Sequence, residues 1–399
     1  MARGHSLRPA IVALLLLSSL VLVSVPLAPS GHAQTVVATV NVGTNPIGVA
    51  YDSLKGEVFV TNGGNNGVSN RTVSVISDAT SKVVATVGVG IFPFGVAYDS
   101  SKDEAFVTNY GSDTVSVISD ATNTVVATVR IGSYPIGVAY DSLKGEVFVA
   151  NEAAPGTVTM ISDATNTVVA WVNVGTNPYA LAYDSSKGEV FVANYGSDTV
   201  SNSTVSVISD ATNTVVATVG VGRSPIGVAY DSLKGEVFVA NEFSGTVSVI
   251  SDVTNTVVAT VNVGGNPYGV AYDSLKGEVF VANEAATGTV SVISDATNTV
   301  VATVGVGTSP WGVAYDSLKG EVFVTNSGSN TVSVISDATS ISSSSSSRSS
   351  SSTTSATSPG VGSWIYLGAG AAVVVVIIVV AAYYTTIRGR PKPSATPPP

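Results

Sequence analysis

The sequence predicts an all-β fold, a seven-bladed β-propeller with four strands per blade. Three observations lead there. The tripeptide Ala-Tyr-Asp recurs seven times, with its Asp at 52, 99, 141, 184, 231, 273 and 316, a period of 42–47 residues. Each period holds four short runs rich in Val, Thr, Phe and Tyr, separated by turn residues. No segment of the repeats combines helical period with helical length. Four-stranded units of this size form propeller blades rather than solenoid coils.

The four strands can be read in order from the first repeat. Strand A contains Gly48-Val49-Ala50-Tyr51, and strand B is Glu57-Val58-Phe59-Val60-Thr61-Asn62. Strand C contains Thr72-Val73-Ser74-Val75-Ile76, and strand D Val83-Val84-Ala85-Thr86-Val87. Asp-Ser-Leu-Lys-Gly turns A into B, Ser-Asp-Ala-Thr turns C into D, and Gly-x-x-Pro leads from D to the next A. In the A–B turn, Asp caps the hairpin and Gly takes a positive φ. A, B and C each occur seven times, but no D strand follows the last C at 331–335. An unaccompanied D strand, residues 35–40, precedes the first A. It is therefore expected to complete the seventh blade as its outer edge and leave no blade a strand short.

Composition removes much chemistry. There is no cysteine, and the two histidines, His5 and His32, lie in an N-terminal leader. A chain processed after residue 33 then lacks the usual general base and the usual transition-metal ligands. All 27 acidic side chains but only eleven of the 17 basic ones fall between residues 34 and 339. So acidic a segment repels phosphate backbones, and nucleic acid is not an expected partner.

The flanks address the chain to a membrane. Residues 1–33 read as a signal peptide: Arg3 and Arg8, the apolar stretch 10–25, and Gly31-His32-Ala33 before Gln34. An uncleaved signal anchor is the competing reading. Residues 340–363 form a Ser/Thr-rich stalk. Residues 364–387 read as a transmembrane helix, with an uncharged run at 365–384. Arg388, Arg390 and Lys392 in the tail at 388–399 place the C-terminus in the cytoplasm and the propeller, residues 34–339, outside. A tail-removed lipid anchor is the rival, against which the basic tail argues. Asn70 and Asn202 head N-glycosylation sequons.

The B strands carry Phe-Val-Thr-Asn at 59–62, 106–109 and 323–326, and Phe-Val-Ala-Asn at 148–151, 191–194, 238–241 and 280–283. On these motifs the chain resembles the YVTN-repeat family of β-propellers, over about residues 34–339. Phe stands for the family's Tyr in all seven copies, and Ala for Thr in four. The resemblance implies a propeller of an archaeal or bacterial cell surface. It also brings in lactonase-like and haem-bearing propellers, but no histidine remains here to ligate haem.

Differences among the copies locate the candidate site. Length varies only between B and C, and the D–A loops vary in residue type, including Phe92 and Tyr134. Both loops belong to one face. The residue after each Pro opens the innermost strand near the channel mouth: Ile47, Phe94, Ile136, Tyr179, Ile226, Tyr268 and Trp311. Large aromatics there could bind a sugar or peptide, or could plug the channel. Glu152, Glu242 and Glu284 follow the B-strand Asn on the same face, where they could hold a cation or form a solvated rim. The candidate ligand residues are thus Phe94, Tyr179, Tyr268, Trp311, Phe92 and Tyr134. No catalytic residue, metal site or cofactor is expected. The expected function is surface recognition or adhesion, with a cell-envelope protein or polysaccharide as partner. The alternatives are a lactonase- or lyase-like enzyme using carboxylates and a divalent metal, and a purely structural coat protein.

Overall fold

The computed structural model describes residues 34–64, 71–153, 155–196, 203–284 and 287–337. The leader, the stalk, the 364–387 segment, the tail and both sequon asparagines, Asn70 and Asn202, lie outside the described residues. Among the described residues no helix is long and apolar enough to cross a membrane.

The described residues form 28 strands, numbered here in chain order, in seven four-stranded antiparallel sheets. In the first complete blade, A is β2 (Pro46–Asp52), B is β3 (Glu57–Asn62), C is β4 (Thr72–Ser77) and D is β5 (Lys82–Gly88). β1 (Thr35–Asn41) joins the outer side of the last blade, built from β26 (Pro310–Asp316), β27 (Glu321–Asn326) and β28 (Thr331–Ser336). The β1–β28 register runs from Thr35 opposite Ser336 to Asn41 opposite Thr331. The strand count alone pointed to this pairing.

Strands A, C and D extend one or two residues beyond the runs read from sequence. Each D strand also carries a feature that the pattern concealed. The C–D register slips once per blade, so that Val84 has no partner opposite β4. This bulge turns an apolar side chain to solvent: Val84 is 53% exposed. A bulge increases local twist and spoils the outer edge as a template for pairing.

B and C strands are buried on both sides because each blade is sandwiched between two others. Phe59 is fully buried against Val96, Ala105, Val107 and Ile118 of the next blade. Phe323 of the last blade packs the same way against Val58, Val60 and Ile76 of the first, with Val40 of β1 in the same cluster. Seven such phenylalanines fill the seams, and truncating one to Ala costs about 3–5 kcal/mol.

The Thr/Ala difference in the B-strand motif has a structural meaning. Thr61 Oγ1 accepts from Gly48 N (2.8 Å) and donates to Phe94 O of the next blade (2.6 Å). Thr108 and Thr325 reach the carbonyls of Ile136 and Ile47 in the same way. The Ala blades lack this hydroxyl bridge, so the substitution is conservative for the strand but not for the seam.

The A–B turns form as their chemistry requires. Asp52 Oδ1 accepts from Leu54 N (2.8 Å) and Lys55 N (3.2 Å), while Gly56 sits at φ 70°. A Cβ on Gly56 would meet the Asp78 carboxylate at 2.8 Å. The turn lysines do more than the sequence indicated. Each reaches the C–D aspartate of the next blade: Lys55 to Asp120 (3.2 Å), Lys276 to Asp337 (2.8 Å), and Lys319 to Asp78 (3.2 Å). Lys144 does so through the backbone carbonyl of Asp210. Each pair is partly exposed and worth about 0–1 kcal/mol, but the set ties every blade to the next.

The same seams crowd carboxylates together. Burial, with Asp337 alongside, pushes Asp273 up to about 6. Burial likewise raises Glu57, Glu104, Glu189, Glu236, Glu278 and Glu321, and also Asp210, which faces Asp141.

Two predictions follow from this architecture. Deleting residues 34–41 removes β1 and exposes the edge of β28. The expected loss is several kcal/mol, at about 1 kcal/mol per ladder hydrogen bond, measured by urea unfolding of parent and truncated chain. A truncated protein that unfolds like the parent would show that β1 carries no stability. The second concerns pH. Acids whose folded-state values are raised bind more protons folded than unfolded, so stability rises as pH falls through the folded value. For Asp273 that window runs from about 6 down to its ordinary value near 4, and the raised glutamates add in the same direction. Calorimetry should give a higher Tm at about pH 5 than at about pH 7.5. A Tm that falls over this range would contradict the assignment.

Candidate functional site

The D–A and B–C loops lie at one end of every blade and are tied together in pairs. The first residue of each B–C loop donates its N–H to the residue before the Pro: Gly63 to Asn45 O (2.9 Å), Tyr110 to Phe92 O (3.0 Å) and Glu152 to Tyr134 O (3.0 Å). The accepting residue is left-handed in all seven blades, with φ between 48° and 58°. Asn or Ser occupies it in five. In the other two it is Phe92 (φ 53°) and Tyr134 (φ 56°). A bulky ring in this region is strained by about 1–3 kcal/mol.

Within these loops the innermost strands crowd the axis. A Cβ on Gly227 would meet Tyr268 O of the next blade at 2.0 Å, so a larger residue there would force the two backbones apart. The remaining space is a cavity of about 160 Å³, lined by the residues after each Pro and the backbone just below them.

Four of the six predicted residues meet at its mouth. Phe94 packs edge-on to Tyr179 (5.6 Å between centroids) and to Trp311 (6.1 Å), and Tyr268 lies 4.3 Å from Trp311. Phe92 joins through Phe94 at 6.3 Å. Tyr134 does not reach the mouth. It is half exposed and touches Tyr110 at 5.1 Å, which in turn contacts Phe92 and Phe94.

Three aromatics that belong to the cluster were not predicted: Tyr110, Tyr195 and Phe243. Tyr195 lies 6.3 Å from Tyr179 and 6.2 Å from Phe243, over which Arg223 sits at 5.1 Å. Tyr110 and Tyr195 occupy the register of Glu152, Glu242 and Glu284, directly after the B-strand Asn. Reading that register as one ring of positions would have found them.

The three glutamates are held among these phenols. Tyr268 donates its hydroxyl to Glu242 Oε1 at 3.1 Å, and Glu242 is nearly buried. Burial raises Glu242, opposed by hydrogen bonds from Tyr268 and Tyr195. Burial also raises Glu152, against a hydrogen bond from Tyr110. Burial and the charges of Glu242 and Glu284 hold the Tyr268 hydroxyl far above its ordinary value.

On the opposite face, Asp273, Glu278 and Asp337 are grouped closely enough to hold a metal ion. Lys276 already sits 2.8 Å from Asp337, and Gln34 Nε2 donates to Glu278 (2.8 Å) and Asp337 (3.1 Å). The lysine–aspartate arrangement recurs around the ring, which makes this group part of a seam rather than a separate centre.

No family model matches the chain, and no curated protein is similar to it. Among solved structures, the Kuenenia stuttgartiensis hydrazine synthase is similar, with a TM-score of 0.66 and 18% identity. The similarity covers 74% of this chain and 96% of that one. It shows a shared β-propeller fold and nothing of activity.

The strained loop positions can be tested directly. Asn tolerates the left-handed region better than Ala, so Tyr134→Asn should be more stable than Tyr134→Ala by about 0.5–1 kcal/mol in urea unfolding. Equal stabilities would mean that the backbone at Tyr134 is not under strain.

Proposed function

We propose that this chain is a membrane-anchored recognition propeller of the cell surface, which captures an envelope polysaccharide or protein on its D–A/B–C face. One observation carries the reading: the varied aromatic residues of the loops gather on that face, while the other face repeats the same turn and lysine bridge. Binding residues concentrate on loops held by a rigid scaffold. Phe92 and Tyr134 support the reading further, because each keeps a ring where Asn would relieve strain.

Gln34 bonds to Asp337, so the first and last described residues lie together at the turn face, away from the aromatic cluster. Recognition also needs no general base, which agrees with the lack of His and Cys after residue 33.

The full-length chain, presented to glycan and peptide arrays, should capture a defined subset. Tyr268→Ala combined with Trp311→Ala should weaken that capture at least tenfold, since anchoring aromatics contribute about 2 kcal/mol or more each. Lys144→Ala, on the far face, should leave it unchanged. If the aromatic pair instead costs several kcal/mol of stability and leaves capture intact, the rings are channel packing and the coat-protein reading stands.

A further inference from the structure

Resting on the reading that the D–A/B–C face is the binding face, we propose that its mouth recognises an organic ammonium group. The inner wall is aromatic: Phe94, Tyr179, Tyr268 and Trp311 stand edge-on or tilted to one another above a small cavity. Aromatic faces are negative and attract cations, most strongly where water is excluded.

Around this wall stand Glu152, Glu242 and Glu284. Their backbone N–H groups are fixed to the carbonyls of Tyr134 (3.0 Å), Ser224 (2.9 Å) and Asn266 (2.9 Å), so all three hold equivalent places on the rim. Their charges act on the rings. Burial is the main cause that raises Tyr179 and Tyr268; Tyr268 and then Glu152 and Glu242 add to it at Tyr179, and Glu242 and Glu284 add to it at Tyr268. The seam carboxylates of the far face are met by lysines, whereas Glu152 and Glu242 are hydrogen-bonded by phenol hydroxyls. Burial raises both, as it does a desolvated carboxylate whose charge is incompletely compensated.

Charge and shape together choose among ligands. An anion would meet three glutamates against Arg223, which lies over Phe243 in the same cluster. A metal ion needs its ligand oxygens to converge, and among the described residues the only group close enough for that is Asp273, Glu278 and Asp337 on the other face. A diffuse cation with a greasy surface suits both the rings and the more distant carboxylates. The shared chemistry is an alkylated amine, supplied either as a small molecule or as a modified lysine of a polypeptide.

Isothermal titration of the full-length chain tests this with choline, its neutral isostere 3,3-dimethylbutan-1-ol, a trimethyllysine peptide and calcium chloride. Choline should bind, and the isostere at least tenfold more weakly. A peptide that binds more tightly than choline identifies a polypeptide source, and equal binding a small amine. Glu242→Gln with Glu284→Gln should weaken choline about tenfold and leave the isostere unchanged. Glu152→Gln, at a less buried position, should weaken choline in the same sense with an unaltered Tm. Equal binding of choline and isostere, choline binding indifferent to the glutamates, or saturable calcium binding lost on the same substitutions would each overturn the proposal. Capture of a neutral glycan through Tyr268 and Trp311 with no response to choline would overturn the ammonium reading and leave the recognition reading standing. No capture of any kind would remove both.

Discussion

Everything in this fold depends on the seam between neighbouring blades. A four-stranded blade here is thin, and its B strand is apolar on both faces. Phe59 packs beside Val73, Val75 and Val87 of its own sheet, and its burial is completed by the next blade, which brings Val96, Ala105 and Val107. The same seam carries the threonine hydroxyl near the axis and the lysine bridge at the turn face. A lone blade would leave the apolar B-strand side chains in water on both faces, so stability is shared among the seams.

This constraint divides the molecule into conserved geometry and varied positions. Residues that touch a seam repeat from blade to blade because every blade meets the same neighbour. Positions at the channel mouth differ from blade to blade even where they meet the core: Tyr268 is buried with Ile226, Phe238 and Val270, and Tyr179, Tyr195 and Trp311 pack against that group. The aromatic cluster is built from those varied positions, and some of them, such as Phe92, are placed at a cost in backbone strain. A rigid ring thus presents a varied surface at its axis, where side chains from non-adjacent blades such as those of Phe94 and Tyr179 come together.

Much of this was legible in the sequence because repetition amplifies weak signals. One Val-Ser-Val-Ile run is ambiguous, but seven in register with their turns are not. The partner of β1 followed from counting strands. What escaped was long-range or local in a way that the pattern hides. The Lys55–Asp120 bridge spans 65 residues, and a turn lysine looks solvated in any one copy. The D-strand bulge leaves the apolar run intact, so a slipped register reads as a straight strand. Tyr110 and Tyr195 were missed because their register was judged by its glutamates alone.

The place of β1 bears on how the molecule is made. Its residues leave the ribosome before any other part of the ring, yet their partner in β28 is among the last to emerge. Until then the nascent chain holds an orphan strand at one end and an unfinished blade at the other. Because the seams are nearly alike, that orphan edge is complementary to the C strand of every blade made in between. Each of those positions is claimed first by the D strand that follows within a dozen residues. Local chain closure is faster than distant closure, and so the order of synthesis itself steers the first strand to the one vacancy left at the end.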